Sequence, residues 1–174
     1  MKILDGRLIK GQILDELKRE VNKLAIKPNL VVIQVGNNEA SNIYINQKKK
    51  MADYVGYGFN LIKYSDDVNE EIILKKINEL NNDKNVHAIL VQMPLPNHLN
   101  SINIQNAVSV LKDVDGLNDI NAGKLFHNKD GLFPCTPFGV MELLCLLKAH
   151  TSFSVRVQLM LAFRHLSVQA AFLP

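Results

Sequence analysis

The sequence predicts an α/β domain of three layers, in which a mostly parallel sheet is flanked by helices. Near-continuous apolar runs over residues 29–36 and 87–94 are typical of strands that are buried on both faces. Segments with helical periodicity separate such runs, and this alternation favours parallel strands joined by helices. Ligands of such sheets bind at the carboxyl ends of the strands. The residues that follow Val35, Tyr64 and Val91 are therefore the first candidates for a site.

The first predicted helix covers residues 7–26 and ends before Pro28, because apolar residues recur there every three or four positions. Its apolar stripe consists of Leu8, Ile13, Leu14, Leu17, Val21 and Leu24. A strand over 29–36 follows and ends at a glycine. The polar residues 37–41, N-N-E-A-S, then supply capping side chains for a second helix.

The remaining elements continue the alternation. Residues 59–65 alternate apolar and polar side chains as a strand does, and residues 69–80 repeat as an amphipathic helix. The apolar run 87–94 is the next strand. Thr136 is predicted as the N-cap of a last helix, with Pro137 at its first position.

The composition is that of a globular protein with a modest net charge. The 174 residues suffice for one domain with a sizeable core, and 47% hydrophobic with 21% charged residues is ordinary for that class. The net charge is only +3, and the basic residues of the chain are mixed with acidic ones. Both observations argue against nucleic acid as a partner. No apolar run has the length of a membrane span, and the N-terminus lacks the apolar core of a signal peptide, so no membrane partner is expected.

The cysteine content indicates a reduced, cytoplasmic setting. Cys135 and Cys145 are too few for a disulfide framework and are predicted to be partly buried thiols. Cys135 has no convincing histidine partner in the sequence, and we interpret it as a structural thiol rather than a nucleophile. No zinc-type spacing of cysteine and histidine occurs, so no metal is predicted.

Tyr44 and Lys48 are four residues apart and therefore share one face of the second helix. A tyrosine ring offers a stacking surface, and a lysine amine can exchange protons if its pKa falls. A half-buried tyrosine beside a surface lysine is the commoner arrangement, and spacing alone favours it.

Two further stretches carry polar groups next to predicted strand ends or turns. Gln92 ends an apolar strand just before two prolines, where its amide could hold an amine or a heterocycle, or merely satisfy the loop backbone. Asp113 and Asp115 precede Gly116, which is typical of an Asx turn. A carboxylate fixed on such a turn could also bind adjacent N–H donors of a pterin or purine.

Taken in order, these motifs resemble one known family. A-S-N-I-Y-I-N-Q-K, V-Q-M-P-L-P, K-D-V-D-G-L-N-D-I-N-A-G-K-L and P-C-T-P-F-G-V-M-E-L-L are similar to the motifs of the methylenetetrahydrofolate dehydrogenase/cyclohydrolase family. The resemblance covers residues 1–149 and implies a folate-binding catalytic domain there. It implies oxidation of 5,10-methylenetetrahydrofolate to 5,10-methenyltetrahydrofolate with NADP, or NAD in some members. Hydrolysis to 10-formyltetrahydrofolate follows, within the one-carbon metabolism that feeds purine biosynthesis.

The resemblance also implies roles for individual residues. Lys48 resembles the catalytic lysine, Tyr44 the residue that stacks on folate, and Gln92 the residue that positions and tunes the lysine. Asp115 resembles the carboxylate that anchors the pterin. A lysine of lowered pKa can act as base and then as acid in hydrolysis, whereas hydride transfer needs mainly folate and nicotinamide held face to face. A cytoplasmic homodimer is implied as well.

The resemblance ends near His150. In the family, a Rossmann-type domain with a glycine-rich loop follows, but here no glycine follows Gly139 and no acidic residue follows Glu142. Residues 150–174 are predicted to be an atypical tail, helix or strand, in place of the NAD(P)-binding domain. We expect a truncated chain impaired in the dehydrogenase step, through a truncated gene, a frame change or an alternative terminus. The alternative is a non-catalytic folate-binding fragment or an inactive product.

Overall fold

The computed structural model describes residues 5–146, which contain six helices and one three-stranded parallel sheet. The helices are α1 Gly6–Lys23, α2 Glu39–Val55, α3 Glu70–Asn82, α4 Ser101–Ala107, α5 Asp119–Phe126 and α6 Cys135–Leu146. The strands are β1 Asn29–Val35, β2 Gly58–Tyr64 and β3 Ala88–Val91. The predicted α/β class with a parallel sheet is confirmed. The predicted tail, 150–174, lies outside the described residues.

The sheet has the order β2-β1-β3, so the most apolar strand, β1, lies in the centre. Ile33 of β1 pairs with Ile62 on one side and with Val91 on the other, in parallel register. A further bridge joins Ile89 to Asp113, which brings the segment after α4 alongside β3. The carboxyl ends of all three strands therefore lie at one edge, where the candidate residues follow.

Apolar side chains cover both faces of the sheet because successive residues of a strand point to opposite sides. On one face, Ile33 packs in a buried cluster with Ile73 and Ile77 of α3. On the other face, Val32 packs with Ile45 of α2. The sheet thus lies between α2 and α3, which gives the predicted three layers. Burial of each such side chain contributes about 1.5–3 kcal/mol to stability.

The first helix forms as predicted, but its apolar stripe is largely exposed. Val21 is buried, whereas Leu8 is 62% exposed and Leu17 is 46% exposed. The reason is its position, since α1 packs along α2 at the side of the domain. The helix ends at Lys23, three residues before the predicted end, because Leu24 adopts an extended conformation.

The prediction of Thr136 as the N-cap of α6 is wrong. The helix begins at Cys135, because the carbonyl of Pro134 accepts the first helical hydrogen bond, from the Phe138 N–H at 3.1 Å. Pro137 is consequently the third helical residue, where its missing N–H costs nothing because first-turn donors have no partner within the helix. α4 and α5 were not predicted, although asparagines cap both of them.

Candidate functional site

The second helix is anchored at both ends, and this fixes the direction in which Tyr44 and Lys48 project. The Asn38 side chain accepts a hydrogen bond from the Ser41 N–H at 3.0 Å and so caps the first turn. Gly56 ends the helix in the left-handed region, at φ 93°. Because α2 starts directly after β1, its first turns lie at the carboxyl edge of the sheet.

Lys48 and Gln92 are in direct contact across this edge. The Lys48 Nζ donates to the Gln92 Oε1 at 3.0 Å, although 44 residues separate the two. The Gln92 Nε2 donates to the Met93 carbonyl at 2.8 Å, and the Gln92 backbone N–H donates to the Ile33 carbonyl at 2.8 Å. In this one orientation of the Gln92 amide, the Oε1 accepts from the Lys48 amine and the Nε2 donates to the Met93 carbonyl, so both groups of the amide have a partner.

The two aspartates of the K-D-V-D-G motif have different environments. The carboxylate of Asp113 is buried and accepts hydrogen bonds from the backbone N–H of Leu117 at 3.2 Å and of Asn118 at 2.9 Å. It also accepts one from the Asn121 Nδ2 at 2.8 Å. Asp113 is therefore the residue that forms the turn. Asp115 is half-buried and lies close enough to Lys48 for their charges to interact.

Replacing Asp113 by alanine is expected to lower the free energy of unfolding by about 3 kcal/mol, because three donors lose a buried charged acceptor. Urea unfolding followed by circular dichroism measures this loss. Asp53→Ala is the control, since Asp53 is exposed on α2 and its removal should leave the midpoint unchanged or slightly higher. Equal midpoints for Asp113→Ala and the wild-type chain would contradict the structural role of Asp113.

Gly116 allows the turn to approach the start of α6. Its φ is +61°, and a side chain there would meet the backbone of Leu132, Phe133 and Pro134 at 2.8 Å. This close approach brings Cys135 next to Asp115. The Cys135 thiol donates to the Val114 carbonyl at 3.5 Å. Cys135 as a whole residue is exposed at the first turn of α6, but its sulfur is partly shielded from solvent, so the prediction of a partly buried thiol holds for the sulfur atom.

Burial shifts the pKa values of Lys48 and Asp115 toward one another. Loss of solvent lowers the pKa of Lys48 below its ordinary value of 10.5, while the negative charge of Asp115 acts in the opposite direction. Loss of solvent raises the pKa of Asp115 above its ordinary value of 3.8, and the charge of Lys48 counteracts this. A base and an acid whose pKa values are perturbed in one cleft are typical of a functional site.

Cys135 has the opposite character to an activated nucleophile. Although the residue is exposed, its sulfur lies in a crowded position beside Asp115. Loss of solvent around the sulfur, and then the charge of Asp115, raise the pKa of the Cys135 thiol to about 11. The thiol is protonated at neutral pH, which agrees with its interpretation as a structural group.

Tyr44 lies one helical turn before Lys48 on the same face of α2. Its side chain is 60% exposed, so the face of the ring is accessible to a flat ligand. The structure therefore brings Lys48, Gln92 and Asp115 together, with Tyr44 beside them on the helix face that carries Lys48. Lys49 and Lys50 are exposed.

Polar residues that the sequence did not single out also lie at this edge. The Gln34 Nε2 donates to the Asn42 Oδ1 at 2.8 Å, and the Asn42 Nδ2 donates to the Asn37 Oδ1 at 3.1 Å. Ser41 donates through its hydroxyl to the Met93 carbonyl at 3.2 Å. The available signal was Gln34 itself, a polar residue inside an apolar strand, since a buried amide needs a partner.

Within residues 5–146, no helix combines the length and the apolar character needed to cross a membrane. In the same range, no group of three or more histidine, cysteine or acidic side chains is placed to hold a metal ion.

The chain is similar in sequence to known proteins. Residues 4–115 match the sequence model of the tetrahydrofolate dehydrogenase/cyclohydrolase catalytic domain. The bifunctional protein FolD of Mycoplasma mycoides is 43% identical over 148 residues, which is 83% of this chain and 51% of the relative. The FolD protein of a Wolbachia strain from Drosophila simulans is 45% identical over 150 residues, 82% of this chain and 50% of the relative.

Solved structures of dehydrogenase/cyclohydrolases are similar to this chain in fold. FolD methylenetetrahydrofolate dehydrogenase/cyclohydrolase from Campylobacter jejuni has a TM-score of 0.83 at 38% identity, covering 85% of this chain and 54% of that chain. The Trypanosoma brucei enzyme, complexed with NADP cofactor and inhibitor, has a TM-score of 0.83 at 27% identity, covering 92% of this chain and 61% of that chain. The chain spans about half the length of the curated relatives it matches.

Proposed function

We propose a hydrolytic function for this site, from the premise that the chain belongs to the tetrahydrofolate dehydrogenase/cyclohydrolase family. In this proposal, residues 1–149 form a folate-binding domain that hydrolyses 5,10-methenyltetrahydrofolate to 10-formyltetrahydrofolate. The observation that supports it most is the Lys48 amine, desolvated, hydrogen-bonded to Gln92 at 3.0 Å and next to Asp115. A lysine whose pKa is lowered by burial can take and return a proton near neutral pH more readily than an exposed one.

The proposed reaction uses Lys48 twice. Water attacks the cationic bridge carbon of the substrate, a C–O bond forms, and the neutral Lys48 amine takes a proton from that water. The resulting ammonium then protonates N5 as the bond between N5 and the carbon breaks. The hydroxyl proton leaves to solvent and the carbon becomes the formyl group. One water is consumed and one proton is released overall, and no group outside the described site is needed.

The other residues bind and orient the substrate in this proposal. Gln92 holds the amine through its Oε1, which keeps the Nζ directed into the site. The Asp115 carboxylate accepts hydrogen bonds from adjacent N–H groups of the pterin. The exposed ring of Tyr44 stacks on the flat face of the folate. Binding of folate by the same residues without turnover is the second candidate, which the openness at Tyr44 favours.

For the dehydrogenase step we propose NADP, which the structure of the Trypanosoma brucei relative contains. A dinucleotide phosphate needs glycines where the backbone approaches it closely, and no glycine follows Gly139 in this sequence. Oxidation of methylenetetrahydrofolate is therefore proposed only together with a dinucleotide-binding domain. A homodimer in the cytoplasm and a role in one-carbon supply for purine biosynthesis belong to the same proposal.

The hydrolysis rate is expected to rise with pH and to level off above a midpoint that lies below 10.5. The neutral amine is the active base, and burial lowers the pKa of Lys48, so deprotonation occurs below the ordinary lysine value. Initial rates of loss of the methenyl absorbance, measured over a pH series and corrected for hydrolysis in buffer alone, give the profile. A corrected rate that stays flat or falls through this range would contradict Lys48 as the base.

A further inference from the structure

The Met93 carbonyl accepts hydrogen bonds from two side chains, one of which belongs to the proposed site. It accepts one hydrogen bond from the Gln92 Nε2 at 2.8 Å and a second from the Ser41 Oγ at 3.2 Å. A carbonyl oxygen has two lone pairs, so it accepts both bonds at once. The hydroxyl of Ser41 and the amide of Gln92 are thus linked through one atom.

Ser41 is placed to hold this carbonyl still. It lies in the first turn of α2, only 4% exposed, and its backbone N–H is fixed by the Asn38 cap. The loop that follows Met93 contains Pro94 and Pro96, neither of which has a backbone N–H to donate. The Ser41 hydroxyl therefore ties this loop to the helix that carries Lys48.

The orientation of the Gln92 amide depends on that carbonyl. With Nε2 directed at the Met93 oxygen, Oε1 faces the Lys48 amine at 3.0 Å. A rotated amide would present its NH₂ group to the ammonium, which is unfavourable because both groups are donors. We propose that Ser41 is a positioning residue that acts through Met93 and Gln92 to hold the Lys48 amine. This inference rests on the proposed function of the site.

The titration of Lys48 is the readout that this chain of contacts moves. The hydrogen bond that the Lys48 amine donates to the Gln92 Oε1 favours the ammonium form. Losing the fixed Gln92 oxygen should therefore lower the pKa of Lys48 further. In Ser41→Ala we expect the midpoint to fall by about half a unit relative to the wild-type chain. The ¹³Cε shift of Lys48, identified by its absence in Lys48→Met, measures the midpoint in the full 174-residue chain.

A double-mutant cycle tests whether Ser41 acts through Gln92. The midpoint is compared in the wild type, Ser41→Ala, Gln92→Met and the double variant. Because Gln92→Met removes the amide, adding Ser41→Ala should then produce no further shift. An equal shift in both backgrounds, or no shift in either, would overturn the inference.

Two more variants separate positioning from a loss of stability. Asn38→Ala removes the cap of the same helical turn but leaves the Ser41 hydroxyl, so it should lower the melting temperature and shift the Lys48 midpoint much less than Ser41→Ala does. A shift in Asn38→Ala as large as that in Ser41→Ala would overturn the inference. If Ser41→Ala lacks a native circular dichroism spectrum, Ser41→Cys takes its place, with a smaller shift in the same direction expected and an unchanged midpoint contradicting it.

The titration does not require turnover, so it separates this inference from the proposed function. A chain that hydrolyses no substrate would contradict the proposed function but would still show whether Ser41 controls Lys48. A chain that is active and whose Lys48 midpoint is the same in Ser41→Ala would keep the proposed function and overturn the positioning role.

Discussion

Replacing Lys48 by methionine is expected to lower the rate of 5,10-methenyltetrahydrofolate hydrolysis by roughly 10²- to 10⁴-fold, the range for loss of a general base. Methionine keeps the apolar stem and removes the amine, which is half-buried and hydrogen-bonded to Gln92. The fold should persist because burial already disfavours the charged amine at this position. Loss of the methenyl absorbance at saturating substrate measures the rate.

The matched control for this prediction is Lys49→Met. Lys49 is the next residue of α2, is exposed, and carries the same charge, so its replacement should leave the rate near that of the wild-type chain. A comparable loss in both variants would show that general charge, rather than the position of Lys48, controls hydrolysis. A near-normal rate in Lys48→Met would remove Lys48 from the mechanism.

Replacing Asp115 by asparagine is expected to weaken the binding of a folate analogue by roughly 10- to 100-fold, since hydrogen bonds to a charged acceptor contribute about 1.5–3 kcal/mol. Asparagine has the same shape but places an NH₂ group where the pterin also donates. The turn should remain intact because Asp113, and not Asp115, accepts the buried backbone N–H groups of Leu117 and Asn118. Isothermal titration calorimetry measures the dissociation constant.

Asp53→Asn is the control for the binding experiment. Asp53 is exposed near the C-terminal end of α2, away from the edge of the sheet at which Asp115 lies, and its replacement makes the same change in charge. Its affinity for the analogue should match that of the wild-type chain. Unchanged affinity in Asp115→Asn would exclude this carboxylate from the pterin site, and equal weakening in both variants would indicate a long-range charge effect.

The central strand β1 and the helix α3 could be predicted from periodicity alone. The apolar run that became β1 and the helical repeat that became α3 both depend on local patterns, so their position in the chain follows directly. The shared face of Tyr44 and Lys48 follows in the same way from their spacing on α2. Such features require no knowledge of which strands are neighbours.

The contact between Lys48 and Gln92 could not be derived from local patterns. It depends on the strand order β2-β1-β3, which places β3 beside β1 and so brings the residue after β3 next to the middle of α2. Periodicity identifies strands but does not order them, because any of the three could occupy the centre. The resemblance to a family predicted that Gln92 positions Lys48, and the strand order explains physically why the two residues meet.

The K-D-V-D-G motif shows a second limit of the sequence. Both aspartates fit an Asx turn equally well, and spacing does not assign the turn to either one. In the structure, the bridge between Ile89 and Asp113 buries the first aspartate against β3, so Asp113 accepts the hydrogen bonds of the turn. Asp115 is then left near Lys48, where a carboxylate can face a ligand.

The most direct measurement is the hydrolysis of 5,10-methenyltetrahydrofolate by the purified wild-type chain, with Lys48→Met and Lys49→Met measured beside it. We predict a rate above that of buffer alone, which saturates with substrate and is lost in Lys48→Met but kept in Lys49→Met. A wild-type rate equal to that of buffer at every substrate concentration, from a chain with a native circular dichroism spectrum, would contradict the proposed hydrolytic function.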